Sequence, residues 1–211
     1  MNFFKRVFRG SDDINSNTKI VLSALLIAFY VVNNRWLRLM VGIPGAPAIA
    51  NLNFAILAII VAAFIMGPWW AAIVGGLGDM LGALLWPFGP YFPGFTLNFA
   101  LIGFILGMFI YRKRIKGWAS LAWRLAVGLL LSYLVLIGLH SLWMFTQRGL
   151  SFIPVALFRA WTVAILLIII YVITLPLLKF LKSPVERFLT IDDEQLDDIP
   201  QTNEVVQNDK N

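Results

Sequence analysis

The chain has 211 residues, of which 60% are hydrophobic and 13% are charged, and its mean hydropathy is +0.81. These values lie outside the range of soluble globular domains and within the range of proteins that cross a membrane several times. With no cysteine and one histidine, the chain cannot form disulfides or Cys- or His-cluster metal sites, and we expect neither a metal nor a cofactor. The net charge of +6 needs no nucleic-acid partner to explain it, because basic residues gather on the cytoplasmic side of membrane proteins.

The first apolar run, Ile20–Val32, follows a short basic N-terminal segment. This order is also typical of signal peptides. However, two aspartates interrupt the basic residues, no small-x-small cleavage site follows the run, and further apolar runs come later in the chain. We therefore predict a first transmembrane helix over Thr18–Val41, preceded by a cytoplasmic N-terminal segment, 1–17.

Four charge-free runs are each long enough to cross a hydrocarbon core of about 30 Å at about 1.5 Å per residue. Breaks at glycine and proline indicate five further spans after the first helix. These predicted spans are Asn51–Met66, Trp69–Trp86, Gly94–Tyr111, Leu121–Phe145 and Val155–Leu181. The sequence therefore predicts an all-α membrane protein with a six-helix transmembrane domain over 18–182.

The distribution of basic residues predicts the orientation of these helices. Six spans place both termini on one side of the membrane. That side also carries the loop Arg112–Lys116 and nearly all the flanking Lys and Arg, so it is predicted to be cytoplasmic. We expect a multi-pass protein of the cell membrane, embedded in the lipid bilayer, with a polar, acidic and disordered cytoplasmic tail over 183–211.

A single carboxylate lies within the predicted membrane domain. Asp79 is the only acidic residue between Ile14 and Val185. A lone carboxylate inside a membrane is costly, so it should have a functional or packing role and a buried partner. Counted from the cytoplasmic helix ends, Arg35 lies about 22 Å deep and Asp79 about 15 Å deep. Arg35 and Arg159 are the candidate partners of Asp79 by depth.

Other polar and aromatic side chains fall in the same outer half of the predicted bundle. Interfacial belts of Trp and Tyr explain some of the rings, but a belt does not require Arg, Asp, Asn and His among them. A binding site for a planar, polar, anionic small molecule would require such residues. The rings stack on the faces of the molecule, polar side chains contact its edge and Arg pairs with its carboxylates. The candidate ligand-binding residues are Arg35, Asp79, Trp86, Tyr91, Phe92, Phe95, Asn98, His140, Trp143, Arg159 and Trp161.

Small residues at helical spacing mark two candidate packing surfaces. Gly75, Gly78 and Gly82 line the third predicted helix, where they would let neighbouring helices approach closely. Ala24 and Ala28 form a small-x-x-x-small pair on the first helix. That pair suits either packing within the chain or a surface for a partner.

The run GDMLGALLWPFGPYFPGFT (78–96), followed by LNFALIGFILGMFIYRKR (97–114), resembles the substrate-binding S components of energy-coupling factor (ECF) vitamin transporters, most closely the folate-specific branch. Ala24 and Ala28 match the AxxxA signature of that family, which contacts the membrane-embedded coupling subunit T. The resemblance implies a six-helix fold, capture of folate or a related vitamin, and import driven by two ATPase subunits in complex with T. It implies no enzymatic activity of the chain itself, which has no G-x-x-x-x-G-K-S/T nucleotide-binding loop.

Three other interpretations remain open. An S component for another vitamin or precursor, such as hydroxymethylpyrimidine or a pyridoxine-like compound, would leave Arg35 and Arg159 without an anionic ligand. An integral membrane enzyme would need paired catalytic groups, and a Ser-His-Asp set is possible with Ser132 or Ser141, neither in a nucleophile-elbow motif. A structural adaptor would leave the intramembrane Arg and Asp without a role.

Overall fold

The computed structural model describes residues 14–36, 39–41, 50–52, 54–87, 91–112, 115, 117–149 and 151–197. Within these ranges the chain forms six helices and one two-stranded antiparallel sheet. The elements are α1 (Ser16–Arg35), β1 (Leu39–Val41), β2 (Ala50–Leu52), α2 (Ile56–Ile65), α3 (Pro68–Leu85), α4 (Pro93–Ile110), α5 (Trp118–Arg148) and α6 (Phe152–Asp197). The predicted six-helix fold is confirmed, and the small sheet is an addition to it.

Five of the helices are long and apolar enough to cross a membrane: α1, α3, α4, α5 and the part of α6 up to Ser183. The sixth, α2, has ten residues and a length of about 15 Å, which is half of a hydrocarbon core. Eight of its ten residues are buried by the surrounding helices. The predicted span Asn51–Met66 is therefore wrong in length, and α2 is a short helix in the core of the bundle.

The boundary between the first two predicted spans is a β-hairpin. Helix α1 ends at Arg35, six residues before the predicted end at Val41, directly after Asn33 and Asn34, which have low helix propensity. Leu39–Val41 instead pairs with Ala50–Leu52, with Met40 opposite Asn51. The apolar residues of these two strands extend the hydropathy of the neighbouring helices, which is why the sequence indicated longer helices.

Helices α3 and α4 are in close backbone contact. A Cβ atom added to Gly103 of α4 would collide with the carbonyl group of Ala71 on α3, and one added to Gly75 of α3 would collide with the carbonyl oxygen of Phe99. Only residues without a side chain allow this separation. The prediction that Gly75 serves close helix packing is therefore confirmed.

Two other glycines of α3, Gly78 and Gly82, face α1. A Cβ atom on Gly78 would lie 2.7 Å from the ring of Tyr30, and one on Gly82 would lie 2.9 Å from Nε of Arg35. The ring of Tyr30 also packs edge-on against Phe99 of α4, with 5.8 Å between ring centroids. The glycines therefore create the space in which α1 places one ring and one guanidinium group against α3.

Helix α6 continues well beyond its apolar part. Residues 183–197, which we predicted to be disordered, are helical in the structure. The sequence between Pro184 and Pro200 has no glycine or further proline, so it contains no strong helix breaker. The rest of the predicted tail, 198–211, and the segment 1–13 lie outside the described residues.

Candidate functional site

The candidate site residues lie at one end of the bundle. Successive helices are antiparallel neighbours, so the C-terminal ends of α1, α3 and α5 lie at the same end as the N-terminal ends of α4 and α6. Asp79, Asn98, Trp143 and Arg159 are each within seven residues, or about 11 Å, of that end of their helix. The prediction that these side chains share one depth therefore agrees with the helix boundaries.

Three side chains, one of which is the only carboxylate of the membrane domain, are linked by two hydrogen bonds. The hydroxyl of Thr96 donates to Oδ2 of Asp79 at 2.9 Å, and the hydroxyl of Tyr91 lies 3.0 Å from the Thr96 hydroxyl. Because Thr96 has one hydroxyl hydrogen and gives it to Asp79, Tyr91 is the donor in the second bond. Asp79 itself is buried, while Tyr91 is exposed. A buried negative charge is thus connected to the surface of the site.

Arg35 is the arginine whose guanidinium group interacts with this carboxylate. Arg35 interacts electrostatically with Asp79 and with the Tyr30 hydroxyl. Its side chain crosses from the end of α1 to α3 over the space left by Gly82. Of the two arginines that depth allowed, Arg35 is the Coulombic partner of Asp79.

Four aromatic rings from three parts of the chain form a continuous cluster next to these polar groups. Phe92 packs edge-on against Phe95, at 5.8 Å between centroids, and against Trp143, at 5.3 Å. The ring centroids of Phe95 and His140 are 4.5 Å apart, and the two ring planes make an angle of 40°. Gly94 makes the cluster possible, because an added Cβ atom would collide with Phe92 and lie 2.8 Å from Trp143.

A buried amide lies at the edge of this cluster. Asn98 is 0% exposed, and its Oδ1 accepts a hydrogen bond from the indole nitrogen of Trp143 at 3.1 Å. Its Nδ2 has no hydrogen-bond partner among the described residues. Unsatisfied donors in such a buried position are uncommon and costly, so this atom is suited to an acceptor from a bound molecule.

A second arginine lies on α6 at similar depth. Arg159 is 5% exposed, and the neighbouring Phe158 packs against Met144 of α5 and Val155. Arg35, Arg159 and the single carboxylate of the spans therefore all lie toward the same end of the bundle. The formal charge of these three groups sums to +1, which favours an anionic ligand.

Comparison with known proteins shows which family has this architecture. The family model of the ECF-type riboflavin transporter S component matches residues 14–183. The chain belongs to this family of S components. It is therefore a multi-pass membrane protein and a component of a transporter, as the sequence resemblance predicted.

Individual relatives support the same assignment. The folate transporter FolT of Clostridium novyi is 30% identical over 130 residues, which are 62% of this chain and 70% of that protein. FolT of Leuconostoc mesenteroides is 28% identical over 127 residues, covering 60% of this chain and 63% of that protein.

Two solved structures have the same fold. A crystal structure of FolT bound with folic acid matches with a TM-score of 0.67 and 30% identity, over 79% of this chain and 97% of that one. The S component of a bacterial ECF transporter matches with a TM-score of 0.58 over 80% and 99% of the two chains. At 22% identity, the second match supports the fold alone.

Two predicted ligand-binding residues of this S component, Trp86 and Trp161, have exposed side chains. Trp161 is 71% exposed, because it follows the buried Arg159 by two residues and so projects about 200° away around the helix, toward lipid. Trp86, just after the end of α3, is also exposed. Both positions are typical of interfacial tryptophans. Depth along a helix, on which the sequence prediction rested, does not give the direction of a side chain.

The alanine pair of this S component lies on an open face of α1. Ala24 and Ala28 are both exposed, and Leu25 between them is 67% exposed. The large apolar side chains on the same open surface are Ile20, Val21, Leu25, Phe29 and Val32. Packing within the chain, which the sequence left open, therefore does not explain the pair.

One residue of the site was missed by the sequence analysis. Thr96 joins Tyr91 to Asp79 through its hydroxyl. The available signal was its position one turn into α4, directly after the proline-rich loop and facing the same end of the bundle as Asp79.

Proposed function

We propose that this chain is the folate-binding S component of an ECF importer, which captures folate or a reduced folate outside the cell. The observation that carries the proposal is the cluster of Phe92, Phe95, His140 and Trp143 next to a buried amide and a net positive charge. The similarity to FolT bound with folic acid supports it.

The chemistry of folate matches each part of this arrangement. Its pterin and aminobenzoate rings are flat and suit the edges and faces of an aromatic cluster, where each ring contact contributes about 0.5–1.5 kcal/mol. The polar edge of the pterin suits Asn98, and the glutamate carboxylates suit Arg35 or Arg159. A charge-assisted hydrogen bond between Arg and a carboxylate contributes about 1.5–3 kcal/mol.

Riboflavin is the second candidate ligand, because the matching family model describes riboflavin transporters. Its isoalloxazine ring would also stack in the aromatic cluster. However, riboflavin has a neutral ribityl chain and no carboxylate, so it would not use the positive charge of Arg35 and Arg159. Hydroxymethylpyrimidine and pyridoxine-like compounds lack a carboxylate as well and have a single small ring. The charge of the site therefore favours folate.

Mass spectrometry of the small molecules released on denaturing the purified protein tests this assignment. The protein should be expressed in cells that contain both vitamins and purified without either. We expect folate or a reduced folate in the released fraction, at close to one molecule per chain. Release of riboflavin in that ratio would show that the riboflavin assignment is correct instead.

For transport, we propose that the open face of α1 docks onto the membrane-embedded coupling subunit T, which works with two ATPase subunits. The flat surface at Ala24 and Ala28 would allow a partner helix to approach closely. Its exposure supports a partner surface, and the binding-site residue Arg35 of the same helix turns away from it, toward Gly82 of α3.

Replacing both alanines with tryptophan separates docking from ligand binding. The double variant Ala24→Trp/Ala28→Trp should abolish uptake of radiolabelled folate while the purified protein binds folate as the wild type does. The matched control is Leu130→Trp/Leu134→Trp, an exposed pair with the same spacing on α5. We expect the control to transport normally. Equal loss of binding and uptake in the alanine variant would show that this face is not a docking surface.

A further inference from the structure

The hydrogen bond between Trp143 and Asn98 determines which way the buried amide faces. An indole N–H can only donate a hydrogen bond, so the amide must present Oδ1 to it. This leaves Nδ2, with two N–H donors, on the opposite side of the amide group. That atom is buried and has no hydrogen-bond partner among the described residues.

The surroundings of the amide show what part of a ligand it would meet. Asn98 lies one turn after Phe95 on α4, and its hydrogen-bond partner Trp143 packs against Phe92. A flat molecule seated among these rings would present its edge to the amide. The N–H donors of Asn98 would then require a hydrogen-bond acceptor at that edge.

Trp143 is in turn held in place by its packing. Its ring packs against Phe92, with 5.3 Å between ring centroids. It also lies close to Gly94, where an added Cβ atom would be 2.8 Å from the indole. The indole is therefore fixed from two sides, and the amide cannot turn over without losing its bond to the indole nitrogen. Without the indole N–H, either orientation of the amide would be available.

We propose that Trp143 is a positioning residue that locks Asn98 as a hydrogen-bond donor, and that the locked amide selects pteridines with a carbonyl acceptor at position 4 over those with an amino group there. The inference rests on the proposed function, since it concerns the edge of a bound folate. A 4-oxo group can accept a hydrogen bond from Nδ2. A 4-amino group is itself a donor, so the amino group and Nδ2 would face each other without a hydrogen bond.

The test compares folic acid with aminopterin, its analogue with a 4-amino group in place of the 4-oxo group. Dissociation constants are measured by titration calorimetry for four forms of the full chain in detergent. The forms are the wild type, Trp143→Phe, Asn98→Leu and the control Trp161→Phe. Trp143→Phe keeps a ring and removes the N–H, and Trp161→Phe makes the same change at an exposed indole.

We expect the wild type and Trp161→Phe to bind folic acid about ten- to a hundredfold more tightly than aminopterin. In Trp143→Phe this ratio should fall to within about threefold of one, because the amide can turn to offer Oδ1 to the 4-amino group. Asn98→Leu should lose the preference too. A purely structural role of Trp143 would lower both affinities without changing their ratio.

Three outcomes would overturn the inference. The first is a wild type that does not distinguish the two ligands. The second is a Trp143→Phe variant that keeps the wild-type ratio. The third is an Asn98→Leu variant that keeps it. A wild type that binds riboflavin but neither pteridine would instead overturn the proposed function, and the inference with it, so the two failures can be told apart.

Discussion

The contact between α3 and α4 joins the stability of the bundle to the geometry of its site. Gly103→Ala would add a methyl group against the backbone of α3, only 2.5 Å from the carbonyl carbon of Ala71 and 2.8 Å from the nitrogen of Ala72. An ordinary contact begins at 3.4 Å and the carbonyl oxygen of Ala71 is closer still, so the two helices would have to separate by more than about 0.9 Å. Neither contact involves a side chain that could rotate away.

Overpacking of this kind costs about 1–3 kcal/mol, which lowers the unfolding midpoint of a chain of this size by about 2–12 °C. The same separation would stretch the hydrogen bond between Thr96 of α4 and Asp79 of α3, so folate binding should also weaken. The measurement is thermal unfolding in detergent, followed by circular dichroism, together with folate titration.

Gly138→Ala is the matched control for this prediction. Gly138 lies in the middle of α5, and an added Cβ atom would meet nothing within 4 Å. Alanine has the higher helix propensity, by up to about 1 kcal/mol, so this variant should unfold at the wild-type temperature or above it. Equal midpoints for Gly103→Ala and Gly138→Ala would refute the argument that the α3–α4 contact requires glycine.

Two further predictions concern charge and topology. Binding of folate and of pteroate, which lacks the glutamate, should be measured for Arg35→Ala and Arg159→Ala. Loss of the arginine that contacts the glutamate should weaken folate binding about ten- to a hundredfold. Binding of pteroate to the same variant should be nearly unchanged. If neither variant changes the folate-to-pteroate ratio, the glutamate is not recognised by these arginines. A cysteine at Ser151 should react with a membrane-impermeant reagent in intact cells, whereas one at Lys113 should not, because the loop Arg112–Lys116 is predicted to be cytoplasmic. Labelling at Lys113 alone would reverse the proposed orientation.

The sequence predicted the depth of the site because depth depends on little beyond the helix rise. Asp79 and Asn98 are close to opposite ends of adjacent helices, so a short connection between those helices must bring them to one level. The direction of each side chain depends on how a helix is rotated against its neighbours. Arg159 and Trp161, two residues apart, were assigned to one site, yet one is buried and the other exposed.

The end of the first helix and the length of the second could not be predicted from hydropathy. Leu39–Val41 is an apolar run and Ala50–Leu52 lies just before the apolar residues of α2, yet these two segments form their hydrogen bonds with each other. Periodicity within one segment contains no information about such a pairing. Similarly, Thr96 is an ordinary residue in the sequence and becomes part of the site only because α4 packs closely against α3.

The most direct test of the central claim is a comparison of folic acid and riboflavin binding to the purified wild-type protein by titration calorimetry. In the proposed site, Arg35 and Arg159 with Asp79 leave a net positive charge, which should distinguish the two ligands because only folic acid has carboxylates. We expect folic acid to bind with a stoichiometry of about one. Its affinity should be about ten- to a hundredfold higher than that of riboflavin. Tighter binding of riboflavin would contradict the assignment of this S component to folate.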